Sequence, residues 1–147
     1  MNKKIDRVFN QILFKNDKVF ISSNSYNSNT GLIRIYESSG TYGFNWNLLT
    51  TINGNSNDHF GYSIDVTWDG DILCVGAPGN DKIYIYEDTS ISKNWSSYVS
   101  NSISGNLNSE FGFSVSINKD TGNNIAVGAP ARRINVSLAD DGHKILL

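Results

Sequence analysis

Short segments in which apolar and polar residues alternate follow one another along the chain, and residues typical of turns separate them. This alternation is expected of β-strands that bury one face against a core. In the middle of the chain it predicts four strands, at residues 62–66, 71–75, 82–87 and 95–99. Asp69-Gly70 and residues 78–81 have the composition of tight turns and are predicted to connect them.

The segments on either side of this region have the same character. Upstream, the pattern predicts strands at 11–14, 18–22, 32–37 and 46–50. Downstream, it predicts strands at 112–117 and 124–127, joined by a turn at 120–122. No helical period is sustained over ten residues, so the predicted class is all-β.

The chain also repeats itself with a period of about 50 residues. Residues 54–64 return as 105–115, and residues 73–78 return as 125–130. Two shorter matches lie upstream, because 33–37 resembles 83–87 and Asn45-Trp46 resembles Asn94-Trp95. Four strands per repeat is the pattern of a β-propeller blade. We therefore predict nearly three four-stranded antiparallel blades in a partial, open propeller, with approximate repeats at 8–58, 59–109 and 110–147, the last incomplete.

Two short motifs recur in register within the last two repeats. They are Phe60-Gly61 with Gly76-Ala77-Pro78, and Phe111-Gly112 with Gly128-Ala129-Pro130. The pairing resembles the FG-GAP repeat of integrin α-subunit propellers and of many bacterial and viral surface proteins. We interpret all ten residues as structural. Glycine permits close backbone approach, the aromatic ring packs between neighbouring blades, and proline ends a strand ladder.

Some repeats of this family hold calcium in a loop of the form Asp-x-Asp-x-Asp-Gly-x-x-Asp. Asp65 and Asp69 match its first and fifth positions, but Thr67 and Leu73 occupy the third and ninth. Calcium takes six to eight oxygen ligands, so Asp65, Asp69 and the neighbouring Asp71 are only weak candidates. The resemblance is to the calcium-free subtype, and no cofactor is expected.

The residue types that perform catalysis are sparse. Cys74 is the single cysteine, so no internal disulfide can form, and its repeat counterpart Ala126 predicts a buried core position. His59 corresponds to Glu110 in the next repeat, and His143 has no companion at metal-ligand spacing. Neither a Ser/His/Asp arrangement nor a glycine-rich phosphate loop is present, and we expect no enzymatic activity.

Binding candidates are found on one strand and in the turns. Tyr84 and Tyr86 place two aromatic rings on one strand face, which could bind a sugar or a peptide but more often packs against the adjacent blade. The turns contribute four polar candidates for ligand contact: Asn80, Asp81, Asp120 and Asn123.

Composition narrows the function further. Twelve basic and 14 acidic residues give a net charge of -2, which excludes a nucleic-acid binder driven by electrostatic attraction. No stretch approaches the 18 apolar residues of a transmembrane helix. The basic N-terminus is followed by no apolar core of a signal peptide, although the family resemblance points to an extracellular or surface location.

We therefore predict a non-catalytic binding or adhesion module with a protein or glycan ligand. Two alternatives stay open: an accessory propeller of a secreted enzyme, and a structural component of a virion or cell-surface assembly. The length of 147 residues holds fewer blades than the four to eight of a closed propeller. We expect a fragment of a longer protein, with a homodimer that completes the ring as the alternative.

Overall fold

The computed structural model describes residues 9–39 and 45–131, and the regular secondary structure of these residues is almost entirely β-strand. The strands are β1 (Gln11–Lys15), β2 (Lys18–Ser23), β3 (Leu32–Ser39), β4 (Asn45–Asn53), β5 (Ser63–Val66), β6 (Ile72–Ala77), β7 (Lys82–Asp88), β8 (Tyr98–Ser104), β9 (Ser114–Ile117) and β10 (Ile125–Gly128). Helical structure in these ranges is limited to α1 (Tyr26–Asn29) and a 3₁₀ turn, Pro78–Asn80. The all-β prediction is confirmed, whereas His143 and the rest of 132–147 lie outside the described residues.

The described strands form three sheets in chain order, and every strand pairing among them is antiparallel. The first sheet contains β1 to β4, the second contains β5 to β8, and the third contains β9 and β10. Each strand therefore pairs with its neighbour in sequence. Four-stranded antiparallel sheets connected in this way are typical of β-propeller blades.

The fourth strand of the second sheet begins later than predicted. The sequence placed it at 95–99, but β8 begins at Tyr98, and Trp95 lies in the preceding loop with a positive φ of 59°. The buried carboxylate of Asp88 fixes this loop, because it accepts hydrogen bonds from the backbone N–H groups of Ser90 at 2.8 Å and Trp95 at 3.0 Å. A loop held by hydrogen bonds to one carboxylate shows no alternation of apolar and polar residues, so periodicity does not mark where it ends.

The match between Asn45-Trp46 and Asn94-Trp95 is also wrong as a structural correspondence. Trp46 lies in β4 and is 43% exposed, whereas Trp95 is 1% exposed. The indole N–H of Trp95 donates to the Gly70 carbonyl at 3.2 Å, and its ring packs edge-on against Phe20 of the first sheet at 5.8 Å. Trp95 is therefore a core residue between two sheets.

Apolar layers hold the sheets face to face. The layer between the first and second sheets is built from buried side chains of both: Phe20, Ile33, Ile35, Ile64, Val66, Leu73, Val75 and Tyr86. A smaller layer joins the second and third sheets through Cys74, Ile83 and Ile117. We call the side of a sheet that contacts the preceding sheet its rear face, and the opposite side its front face.

The aromatic face of β7 is a packing surface, as the sequence favoured. The rings of Tyr84 and Tyr86 lie 5.5 and 6.1 Å from the ring of Phe60.

Cys74 is on the front face and fully buried, which confirms its predicted core position. Burial, followed by the nearby charge of Asp65, raises the pKa of the Cys74 thiol to about 12. The thiol therefore stays protonated and is not a nucleophile at neutral pH.

Candidate functional site

The junction between consecutive sheets is formed by a Phe-Gly pair. Gly112 has a φ of 95°, and its carbonyl oxygen accepts a hydrogen bond from the Ser63 hydroxyl at 2.9 Å. The same carbonyl lies directly over Gly76, where an added Cβ would overlap it. Gly76 and Gly112 are thus glycines because two backbones meet there, as the sequence predicted.

The junction between the first two sheets has the same construction. Gly61 has a φ of 83°, and a Cβ built on it would lie 3.0 Å from the Cβ of Ser22 in the first sheet. Phe60 is fully buried beside Gly54, which leaves the room that the ring needs. Phe111 fits against Gly105 in the same way but is only half-buried. The two phenylalanines share a position in the repeat but differ in burial.

A third, degenerate pair lies at Phe9-Asn10. The backbone N–H of Asn10 donates to the Ser22 carbonyl at 2.9 Å, and the N–H groups of Gly61 and Gly112 donate to the carbonyls of Gly76 and Gly128 at 3.1 Å. Ser22 is therefore the counterpart of Gly76 and Gly128. The sequence reasoning missed this correspondence, for which the only residue signal is the phenylalanine at position 9.

The loops before the Phe-Gly pairs repeat their backbone conformation. Asn57 and His59 have φ values of 61° and 52°, and their counterparts Asn108 and Glu110 have values of 58° and 57°. Together with the turn at 78–80, residues 55–59 and 106–110 form what we call the loop surface. Its tips are exposed, and Leu107 has 86% of its surface accessible.

Asp58 fixes the first of these loops from below. Its carboxylate is fully buried and accepts hydrogen bonds from the Asn55 backbone at 2.9 Å, from the Tyr84 hydroxyl at 3.1 Å, and from the Asn80 side-chain amide. Burial and the charge of Asp58 raise the pKa of Tyr84. Asn80, a predicted ligand-binding residue, is exposed at the turn, and one N–H of its side-chain amide donates to the Asp58 carboxylate.

Asp81 fixes the second loop. It is 8% exposed, and its carboxylate accepts hydrogen bonds from the backbone N–H groups of Asn108 at 2.6 Å, Ser109 at 2.9 Å and Phe111 at 3.3 Å. Burial acts to raise the pKa of Asp81, but these hydrogen bonds outweigh it and leave the pKa below its usual range. Asp81, predicted as a ligand contact, links the second sheet to the loop of the third.

Replacing Asp81 with Asn is expected to lower the free energy of unfolding at pH 7 by about 2 kcal/mol, because charge-assisted hydrogen bonds to three N–H groups are weakened. Since the folded-state pKa is depressed, this stabilisation is present above the unfolded-state value near pH 4 and is lost as the pH falls further. Urea unfolding at pH 7 and at pH 3 should show a smaller difference between variant and wild type at the lower pH.

The matched control for that measurement is Asp120→Asn, which removes an exposed turn carboxylate. It should change the free energy of unfolding at pH 7 by less than about 0.5 kcal/mol. An Asp81→Asn effect that is equal at both pH values would contradict the assigned role of the charge.

The remaining turn candidates lie at the opposite end of the sheets. Asp120 and Asn123 are exposed in the β9–β10 connection, next to the β5–β6 turn, where the Trp68 N–H donates to the Lys119 carbonyl at 2.8 Å. The four predicted ligand-binding residues therefore do not form one site.

The three weak calcium candidates also separate. Asp65 pairs with Lys119 and accepts the Ile117 N–H at 2.9 Å, and Asp71 pairs with Lys93 at 2.9 Å. Asp69 closes its turn by accepting the Thr67 hydroxyl at 2.6 Å and the Asp71 N–H at 3.0 Å. Although burial opposes it, these hydrogen bonds lower the pKa of Asp69. Each carboxylate has its own partner.

These contacts place a Phe-Gly pair and a Gly-Ala-Pro segment at defined positions of one repeat unit. Residues 47–92 match the family model of the FG-GAP repeat. The match includes Phe60-Gly61 and Gly76-Ala77-Pro78, so the resemblance drawn from these motifs is confirmed for this FG-GAP repeat. Comparison with curated proteins and comparison with solved structures each gave no match.

The sheets of four antiparallel strands are consistent with the β-propeller type of fold of FG-GAP repeats. Within 9–39 and 45–131, no helix has the length and hydrophobicity needed to cross a bilayer.

Proposed function

We propose that this chain is a non-catalytic binding module of β-propeller type, which recognises a protein or glycan through the loop surface. The observation that carries the proposal is the pair of buried carboxylates, Asp58 and Asp81, beneath exposed loop tips. They hold the loop backbones through hydrogen bonds to residues 55, 108, 109 and 111. A loop that is ordered before binding loses less conformational entropy when a ligand binds.

The exposed residues of the loop surface suit such a role. Asn57, Asn80 and Asn106 each offer an amide, which both donates and accepts hydrogen bonds. Leu107 adds an apolar tip. Amide groups beside an apolar contact are the combination that pairs with the hydroxyl groups and carbon face of a sugar, or with a peptide backbone and side chain.

The state of the nucleophile candidate supports the non-catalytic part of the proposal. The Cys74 thiol is buried with a raised pKa, so it is neither ionised nor accessible. His59, the histidine within the described ranges, is half-buried in a loop whose backbone contacts Asn29 at 2.8 Å.

The test is a screen of the full chain on glycan and peptide arrays, followed by titration of the best ligand with Leu107→Asp. We expect the affinity to fall at least about tenfold, because a contact at the loop surface is removed. The matched control is Ile91→Asp, since Ile91 is a fully exposed apolar residue at the other end of the second sheet. Equal affinities for the two variants, or no ligand on either array, would contradict the proposal.

A further inference from the structure

Among the residues that the structure describes, no sheet packs on the rear face of the first sheet, although the same face of the second sheet is buried. Cross-strand register aligns Val66, Leu73 and Tyr86 in one row of the second sheet, and these side chains are 0–7% exposed against the first sheet. The corresponding row of the first sheet is Phe14, Val19, Tyr36 and Leu48. Residues opposite one another in antiparallel strands share a face, so the two rows are equivalent.

Val19, in the middle of this row, is 6% exposed, but the larger apolar side chains around it are open to solvent. Phe14 is 65% exposed, Leu48 is 52% exposed and Ile12, one row away, is 50% exposed. Trp46 contacts Phe14 edge-on at 6.0 Å and is itself 43% exposed. Contiguous exposed apolar surface of this kind marks an interaction site.

The front face of the third sheet has the opposite character. Its described rows pair Ser114 with Gly128 and Ser116 with Ala126, all small residues. A Cβ built on Gly128 would overlap the Ser114 hydroxyl, as one on Gly76 would overlap the Ser63 hydroxyl. The surface that receives Gly112 on the second sheet is therefore repeated on the third.

From the first junction to the second, the front-face residue becomes smaller and the rear-face residue becomes larger. Phe20 of the first sheet shares a core layer with Val66 of the second, and Cys74 of the second shares one with Ile117 of the third. The equivalent position on the front face of the third sheet is Ala126, and on the rear face of the first sheet it is Phe14. A small residue opposite a large one keeps the combined volume in the range of the existing junctions.

We propose that a second copy of this chain packs its first sheet against the third sheet of its partner, and that two such contacts close a dimer. Phe9-Asn10 of one copy would lie over Ser114 and Gly128 of the other, as Phe111-Gly112 lies over Ser63 and Gly76 within the chain. The proposal extends the two junctions already present to a third of the same kind. The described residues of two copies contribute six sheets, within the four to eight blades of closed propellers. Head-to-tail contacts of this type form a ring when the rotation closes.

Sedimentation of the full chain tests the proposal. At about 0.1 mM we expect a species of twice the 16.2 kDa of one chain. Phe14→Glu and Ala126→Arg should each raise the dissociation constant at least about 100-fold, because each places a charge in one half of the junction. The control Ile91→Glu alters an exposed apolar residue away from both faces and should leave the dimer intact. Melting followed by circular dichroism identifies any variant that does not fold, and Leu48→Lys then replaces Phe14→Glu.

Mixing the two variants distinguishes the head-to-tail arrangement from a contact between identical faces. A mixture of Phe14→Glu and Ala126→Arg retains one unaltered junction, so heterodimers should form where neither variant dimerises alone. A monomeric wild-type chain at this concentration would overturn the proposal. A dimer that resists Ala126→Arg, or variants that do not complement each other, would also overturn it.

Discussion

Truncation of Phe60 to alanine should lower the free energy of unfolding by about 3–5 kcal/mol, the range for removal of a buried aromatic ring. Phe60 is 0% exposed and contacts Tyr84 and Tyr86 edge-on, so its removal leaves a cavity between the first and second sheets. The backbone at this point is fixed by the parallel bridge between Gly31 and Phe60, which limits collapse into the cavity. Urea or thermal unfolding measures the loss.

Two further phenylalanines serve as controls for that measurement. Phe111 holds the same position in the next repeat but is half-buried, and Phe113 is 41% exposed. The destabilisation should therefore decrease from Phe60→Ala to Phe111→Ala to Phe113→Ala. A loss below about 1 kcal/mol for Phe60→Ala, or equal losses for all three variants, would contradict the burial described for the first junction.

Gly76→Ala is expected to cost about 3 kcal/mol, at the upper end of the range for overpacking. The added methyl group would overlap the Gly112 carbonyl, and a backbone atom cannot rotate away as a side chain can. The second and third sheets would have to separate, which also weakens the hydrogen bond from Ser63 to Gly112. The unfolding free energy of the variant measures this cost.

Gly128→Ala is the matched control because Gly128 occupies the same position in the next repeat. The methyl group there would meet the hydroxyl of Ser114, which is exposed and can change rotamer, so the expected cost is below about 1 kcal/mol. Both variants are compared in the Phe14→Glu background so that association does not contribute. A smaller effect for Gly76→Ala than for Gly128→Ala would contradict the packing at the second junction.

The second and third repeats could be aligned from the sequence because the glycines at the junction between their sheets have no freedom to vary. Gly76 and Gly112 lie where two backbones meet, and any side chain there would separate the sheets. The strands between them alternate because the second sheet buries its rear face and its front face in different apolar layers. Steric constraints of this kind can be recognised directly from the residue type.

The first repeat could be predicted as strands but not aligned by motif. Its equivalent of the Phe-Gly pair is Phe9-Asn10, and its equivalent of Gly76 is Ser22, identified by a hydrogen bond between backbone atoms. Any residue except proline can donate a backbone N–H, so this contact places little constraint on residue type.

The candidate site was the part least accessible to sequence reasoning. Asp88 has a local signal, since a carboxylate that accepts from a residue two positions on is an Asx turn with Ser90. Asp58 has a local partner in Asn55, but its partner Tyr84 and the Asp81 partner Asn108 are more than 25 positions away, so these contacts leave no local signal. Asp81 was expected to contact a ligand because it lies in a turn, but its side chain is buried.

The central claim is that each repeat packs its Phe-Gly pair on the strand end of the preceding sheet. The most direct measurement is a nuclear Overhauser spectrum that tests contact between the α-protons of Gly76 and Gly112. We predict a cross-peak, because a Cβ position on Gly112 lies 3.2 Å from the Gly76 Cα. Cross-peaks from Gly76 to its strand partner Ser63 without any to Gly112 would contradict the account.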